Sequence, residues 1–392
     1  WFNAGNATIT GNTVGSMTGV DNILVRTSGT GGAVTTPTLI GIGQGAATAG
    51  IITISNNNIG GLGLNGITNA FLPNSAIGGT VAGIYNTGFP AVNASNARFI
   101  TGNNIGGNIA GSLRAGNANQ AALSQTVNFS VVGIVNVSGT VINITNNTIQ
   151  NLLVPTRSTS GGMIGINSTS GINTITGNTV RNLVSYSKSV GAGTGATLMG
   201  INHSSTTAPV VGTSVRIGQN TISNLKTGSD STAVIVHGIS YTGSITAGFN
   251  YTVDRNLVYD LGDLTNTVSD TAKVVYSGIG IFGGVPVVQN NMISIGDGNT
   301  KGQIYFGLNK NTTNIVRFYH NSVYIGGANT DASGVISGST AAFRRQARPT
   351  SGNDELINNI FYNARTTSFA SVASEYGVWL DSTANLTSNK NI

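Results

Sequence analysis

Apolar and polar residues alternate along the chain in short bursts, and one phrase keeps returning. Residues 141–152 read VINITNNTIQNL, 172–183 read INTITGNTVRNL and 214–225 read SVRIGQNTISNL. Each asparagine has an aliphatic residue three positions before it and others two and five positions after it. Ile144, Asn147, Ile149 and Leu152 fill this pattern most clearly. Further copies centre on Asn12, Asn57, Asn103, Asn178, Asn220, Asn256, Asn291 and Asn321, at intervals of 30 to 46 residues. Near INNIF the register is open between Asn358 and Asn359, and the final SNKNI reads as a repeat cut in mid-strand. A second phrase, a short aliphatic segment carrying Gly before Ile, Val or Leu, alternates with the first. Its glycines are Gly41, Gly83, Gly133, Gly165, Gly200, Gly238, Gly278, Gly307 and Gly377, with Ala342 at that position in TAAFRRQ.

The bursts are strand-length and rich in Ile, Val and Thr, with Gly and Asn between them, which is strand-and-turn chemistry. No 3.6-residue periodicity is sustained, so helix should be minor. Each unit predicts three short strands: the Gly-Ile strand, the strand before the asparagine and the strand after it. Inside so short a unit they could pair only as hairpins, and Asn-Gly hairpin turns are not regularly placed. If each strand pairs with its counterpart in the next unit, the chain coils into a parallel β-solenoid with identical positions about 4.8 Å apart. About ten coils would then form one elongated domain over residues 1–392, a rod near 50 Å long by that spacing. Aliphatic positions stack into a dry interior, and length variation falls in the loops. The repeated Asn would form a ladder, because its amide both donates and accepts. It should also hold the turn, since Asn tolerates left-handed backbone.

Composition narrows the picture further. Hydrophobic residues make up 39% of the 392 and charged ones only 8%, which excludes a disordered chain. The net charge is +6, but the basic residues are scattered, which argues against nucleic acid as a partner. The dense group Arg344, Arg345 and Arg348 reads as a solvated loop. There is no cysteine, and no apolar run is long enough to span a bilayer. The chain begins at Trp1 without a signal-like stretch and reads as a piece of something longer. Low charge with abundant Asn, Thr and Gly favours an extracellular or cell-surface location.

The alternation of Gly-Ile with I-x-x-N-T-I-x-N-L resembles the parallel β-helix repeats of the pectate-lyase-like superfold, over nearly the whole chain. Residues 314–392, with VRFYHNSVYIGG, INNIFYNAR and LTSNKNI, are similar to repeats in large secreted surface proteins of Bacteroidetes-type bacteria. The resemblance implies an all-β, right-handed parallel β-helix. It leaves function open, because this superfold carries lyases, hydrolases, adhesins and passive stalks. Its hydrolases use clustered Asp residues, and its lyases use acidic calcium ligands with a basic residue.

Between Asn22 and Ser229 there is no Asp or Glu, so over half of the rod cannot host such chemistry. The candidates that remain are Asp254, Asp260 and Asp263, with Arg255 nearby. Asp260 stands where three other repeats carry Asn151, Asn182 and Asn224, which favours a turn cap. Asp260 with Asp263 is the weak candidate for calcium; no other cofactor is indicated, and no catalytic residue is assigned. His203, His237 and His320 are isolated at different repeat positions and read as surface or core residues. GIGQG and GAGTG imitate phosphate loops but lack a following GK[ST] or amphipathic helix. The sequons, Asn93, Asn128, Asn143 and Asn146 among them, follow from composition and decide nothing. Aromatics thicken from Tyr305 to Trp379, as core fillers, a subunit contact or a sugar-stacking strip. An ice-binding face would need regular outward Thr-x-Thr ranks, and TIT at 8–10 and 174–176 recurs too rarely.

The expected function is non-enzymatic: a stalk, adhesin or fibre segment that associates with copies of itself or with neighbouring domains of a longer polypeptide. The alternative is a carbohydrate-active enzyme or polysaccharide-binding module.

Overall fold

A computed structural model describes residues 5–27, 37–45, 49–66, 79–88, 94–116, 128–157, 161–189, 196–229, 234–264, 274–300, 302–330, 338–367 and 374–392. Among these residues the regular structure is all β apart from a three-residue 3-10 turn at Ala94–Asn96. The strands form sheets of 11, 13 and 10 members, plus a two-stranded patch. The first sheet runs from Ala7–Thr10 to Leu386–Asn389, always pairing a strand with its counterpart in the next repeat. The second holds the strands that follow the repeated asparagine, and the third holds the Gly-Ile strands from Thr38–Gln44 to Glu375–Leu380. Pairing is parallel and in register: Ile144 faces Ile175, Leu152 faces Leu183 and Ile166 faces Ile201. This is consistent with a parallel β-solenoid.

The register explains the pattern of apolar residues. Ile54, Ile100, Ile144, Ile175 and Ile217 make one buried column, and Ile59, Ile105, Ile149, Val180 and Ile222 make another. These columns and those of the third sheet merge into one continuous core cluster. A fully buried side chain of this kind contributes about 1.5–3 kcal/mol.

The asparagine ladder forms, and in its interior every amide is saturated. Asn178 Nδ2 donates to Asn220 Oδ1 at 3.0 Å and to the Ile144 carbonyl at 2.8 Å. Its Oδ1 accepts from Asn147 Nδ2 at 3.0 Å and from the Asn147 backbone N–H at 2.9 Å. The same bonds link Asn12, Asn57, Asn103 and Asn147, and Asn220, Asn256, Asn291 and Asn321. Asn321 then donates to Asn359, and Asn359 to Asn391. The open register at INNIF therefore resolves to Asn359.

One expectation about the ladder is corrected. The left-handed backbone belongs to the residue before each ladder asparagine, not to the asparagine itself. Gly11, Asn56, Gly102, Asn146, Gly177, Gln219, Arg255, Asn290, His320, Asn358 and Lys390 all have φ between 51° and 68°. The bend at that residue turns the next side chain inward along the stack. The ladder Asn supplies the hydrogen bonds, and its neighbour supplies the turn.

The Gly-Ile phrase also has a steric cause. A Cβ built on Gly200 would lie 2.6 Å from Ile222 Cγ2 and 2.6 Å from the Gly238 carbonyl oxygen. The glycine column leaves the space into which the Ile column of the second sheet packs. Gly200→Ala is expected to destabilise the protein by about 1–3 kcal/mol through overpacking. Urea denaturation checks this, and an unchanged midpoint would remove the steric explanation.

Candidate functional site

The three candidate carboxylates have separate partners. Asp254 lies on the first sheet, where Arg216 Nε and Nη2 donate to its two oxygens at 2.7 Å each. Asp260 lies on the second sheet and pairs with Lys226 at 2.5 Å, its side chain 47% exposed. It takes the left-handed conformation (φ 57°) shared by Asn151, Asn182 and Asn224, as a turn cap should. Asp263 turns toward a buried polar group. It accepts from the Tyr276 hydroxyl and the Gln303 amide, with Asn299 Nδ2 at 3.4 Å. Burial raises its carboxyl pKa, against the hydrogen bonds from Tyr276 and Asn299 and the charges of Lys226 and Arg365. Arg365 stacks over the Tyr305 ring at 4.9 Å in the same group. A calcium ion at Asp260 and Asp263 would have to displace these partners. Among the described residues no three His, Cys, Asp or Glu side chains gather in a metal-binding group.

The arginine-rich segment corrects a second expectation. Thr340–Arg345 is a strand of the third sheet, and Arg345 is 1% exposed. Its Nε donates to Asp354 Oδ2 at 2.7 Å, and its terminal nitrogens donate to the carbonyls of Ser382, Ala384 and Asn385 at 2.8 Å. Lys310, fully buried, sits 3.2 Å from the same Asp354 oxygen and donates to the carbonyls of Thr312 and Ala347. Burial pulls the Lys310 ammonium pKa down, and Asp354 opposes that pull. Arg344 faces outward, its guanidinium 4.8 Å from the Phe306 ring and 4.1 Å from Trp379. Of the three arginines only Arg348 is exposed.

Register shows why these cations are inside. Gln44, Asn86, Asn136, Ser168, His203, Tyr241, Ile281, Lys310 and Arg345 occupy one column of the third sheet, facing neighbours in turn. All are buried. Asn86 donates to Asn136 and Asn136 to Ser168, while His203 stacks on Tyr241 at 4.9 Å. This internal polar column escaped the sequence reading, because its residue type changes from coil to coil.

His203 and His237 are both buried, and burial holds each imidazole down at about 4. Between the unperturbed 6.5 and that value the unfolded chain binds a proton the folded chain refuses. Stability is therefore full above pH 6.5 and falls toward pH 4. His203→Phe should lose about 3 kcal/mol less than the parent over that interval. Thermal melts at stepped pH check this, and parallel curves would show that His203 is not buried neutral. His320, by contrast, holds a turn at φ 55° before Asn321.

The aromatic residues divide by face. Tyr305, Phe306, Phe318, Phe343 and Phe361 are buried, and Tyr362 and Tyr376 stand 60% and 38% exposed. Thr10, Ser55, Thr101, Thr145 and Thr176 do share an outward column of the first sheet, but Phe99 and Asn143 interrupt the neighbouring one. GIGQG lies in and just after the strand Thr38–Gln44, whereas GAGTG and Asn93 fall outside the described residues.

No protein family, curated protein or solved structure matches the chain. Among the described residues no helix is long and apolar enough to cross a membrane.

Proposed function

We propose that residues 1–392 form a right-handed parallel β-helix of about ten coils, acting as a non-enzymatic structural segment of an extracellular bacterial surface protein. A stalk, adhesin or fibre subunit all meet this description. The observation that carries the reading is the saturated ladder from Asn57 to Asn359, which ties successive repeats into one stiff stack. The separation of Asp254, Asp260 and Asp263 onto different partners supports a non-catalytic role. Among the described strands, Ala7–Thr10 and Leu386–Asn389 each have a neighbour on one side only. Unpaired edges of this kind template association with a further unit, whether a copy or a neighbouring segment.

Electron microscopy and small-angle scattering test the reading. Dilute protein should be a rod about 50 Å long by the spacing of its coils, lengthening in multiples as concentration rises. A globular particle would contradict it. Polysaccharide turnover abolished by Asp260→Asn would replace it with an enzyme.

A further inference from the structure

The second sheet carries a second, shorter asparagine ladder on its outer face. Asn151, Asn182 and Asn224 follow the main ladder by four residues and take φ of 58°, 57° and 51°. Strand pairing skips them: Gln150 faces Arg181 and Leu152 faces Leu183, so the asparagines bulge out of the sheet. Asn224 Nδ2 donates to Asn182 Oδ1 at 2.8 Å, Asn182 Nδ2 to Asn151 Oδ1 at 3.1 Å, and Asn151 Nδ2 to the Gly107 carbonyl at 2.8 Å.

The two ladders differ in one respect. In the main ladder each interior amide uses both N–H groups and both lone pairs. In the second, each Nδ2 makes one of these bonds and no oxygen accepts more than one. A primary amide offers two donors and two lone pairs. This ladder is therefore half open, and the open side adjoins a groove of about 440 Å³. Leu153 and Val184 occupy one outward column along it. Tyr186 lines it too, with its ring over Gly228, where a side chain would collide with it. Among the described residues no Asp, Glu, Lys or Arg lines the groove, and Arg114 and Lys226 continue the Leu153–Val184 column on either side of it. The size falls in the range of small-ligand sites, which combine an apolar lining with a few placed polar groups.

We infer that this groove binds a neutral oligosaccharide. A pyranose ring has an apolar C–H face that suits Leu153, Val184 and Tyr186. Its hydroxyls each donate and accept, as the free half of each amide does. The amides recur about every 4.8 Å along the stack, close to the length of one sugar residue in an extended glycan. The described lining is uncharged and the flanking cations are paired, Arg114 with Asp21 and Lys226 with Asp260, which disfavours an acidic glycan or phosphate. This deepens the adhesin form of the proposed function by naming its ligand class, and a rod that bound no sugar would leave the structural reading standing.

The test is titration calorimetry of the whole protein against soluble neutral oligosaccharides (gluco-, manno-, galacto- and N-acetylglucosamine series), with oligogalacturonate and an extended peptide as comparison arms. At least one neutral series should bind, and binding should weaken tenfold or more in Asn182→Gly and in Tyr186→Ala. Glycine keeps the left-handed turn while removing the amide, so a melting temperature near the parent's separates loss of the site from loss of the fold. Tyr186→Phe should retain binding, since the ring and not the hydroxyl does the stacking. No neutral series binding at 10 mM ligand, preference for oligogalacturonate or peptide, or unchanged affinity in both deletion variants would each overturn the assignment.

Discussion

Asn178→Ala is expected to lower stability by about 5 kcal/mol, whereas Asn12→Ala should cost about 1 kcal/mol or less. The difference lies in what each deletion leaves behind. Removing the Asn178 amide strands the Asn147 backbone N–H and takes one of two acceptors from Asn147 Nδ2, which keeps the Ile100 carbonyl. It also removes one donor from the Ile144 carbonyl and one of two donors from Asn220 Oδ1. These bonds are buried, and a buried polar group left without a partner costs about 1–3 kcal/mol. At Asn12 the side chain is exposed, water replaces the lost bonds, and the backbone N–H still reaches Asn57 Oδ1. Denaturation midpoints along the series Asn12, Asn57 and Asn178 should therefore descend inward. Equal losses at the three positions would mean that the ladder is not the element holding the stack.

Asp354→Asn should be the other severe substitution, at about 3–5 kcal/mol. Asp354 is the carboxylate between two buried cations, Lys310 and Arg345, and its other oxygen accepts the Val316 backbone N–H at 2.8 Å. Asparagine keeps the shape and removes the charge, leaving two cations together in the interior. Lys310→Met should cost less, because Arg345 still neutralises Asp354 and keeps its three carbonyl partners. Denaturation of the two variants decides between this order and its reverse. A milder effect of Asp354→Asn would show that water or a counter-ion reaches the cluster.

These two cases mark how far the sequence could be read. The ladder was legible because one residue type recurs in a fixed local frame: each ladder asparagine from Asn12 to Asn321 has apolar flanks within five residues. The turn before it was not, because Gly, Asn, Gln, Arg, His and Lys all fill that left-handed position. The Lys310–Arg345–Asp354 cluster joins residues 35 and 9 positions apart through the register of two sheets. Taken alone, FRRQAR reads as a solvated loop; the register of the third sheet places Arg345 of it inside, beside Lys310 and Asp354. The Asn151 position was recognised as a turn cap from its recurrence. Its open hydrogen bonds were invisible without the outward placement of Leu153 and Val184.

The stack depends on each repeat lying in register beside the next, and the absence of cysteine from the chain makes that directly measurable. Thr145 and Thr176 face each other on the first sheet, whereas Gly218 lies one coil further along. Cysteines at 145 and 176 would have Cα atoms about 4.8 Å apart, within disulfide reach, while 145 and 218 would be about 9.6 Å apart and beyond it. Mild oxidation followed by mass measurement should close the first pair quantitatively and leave the second as free thiols. Closure of the 145–218 pair instead, or of neither, would contradict the stacked register.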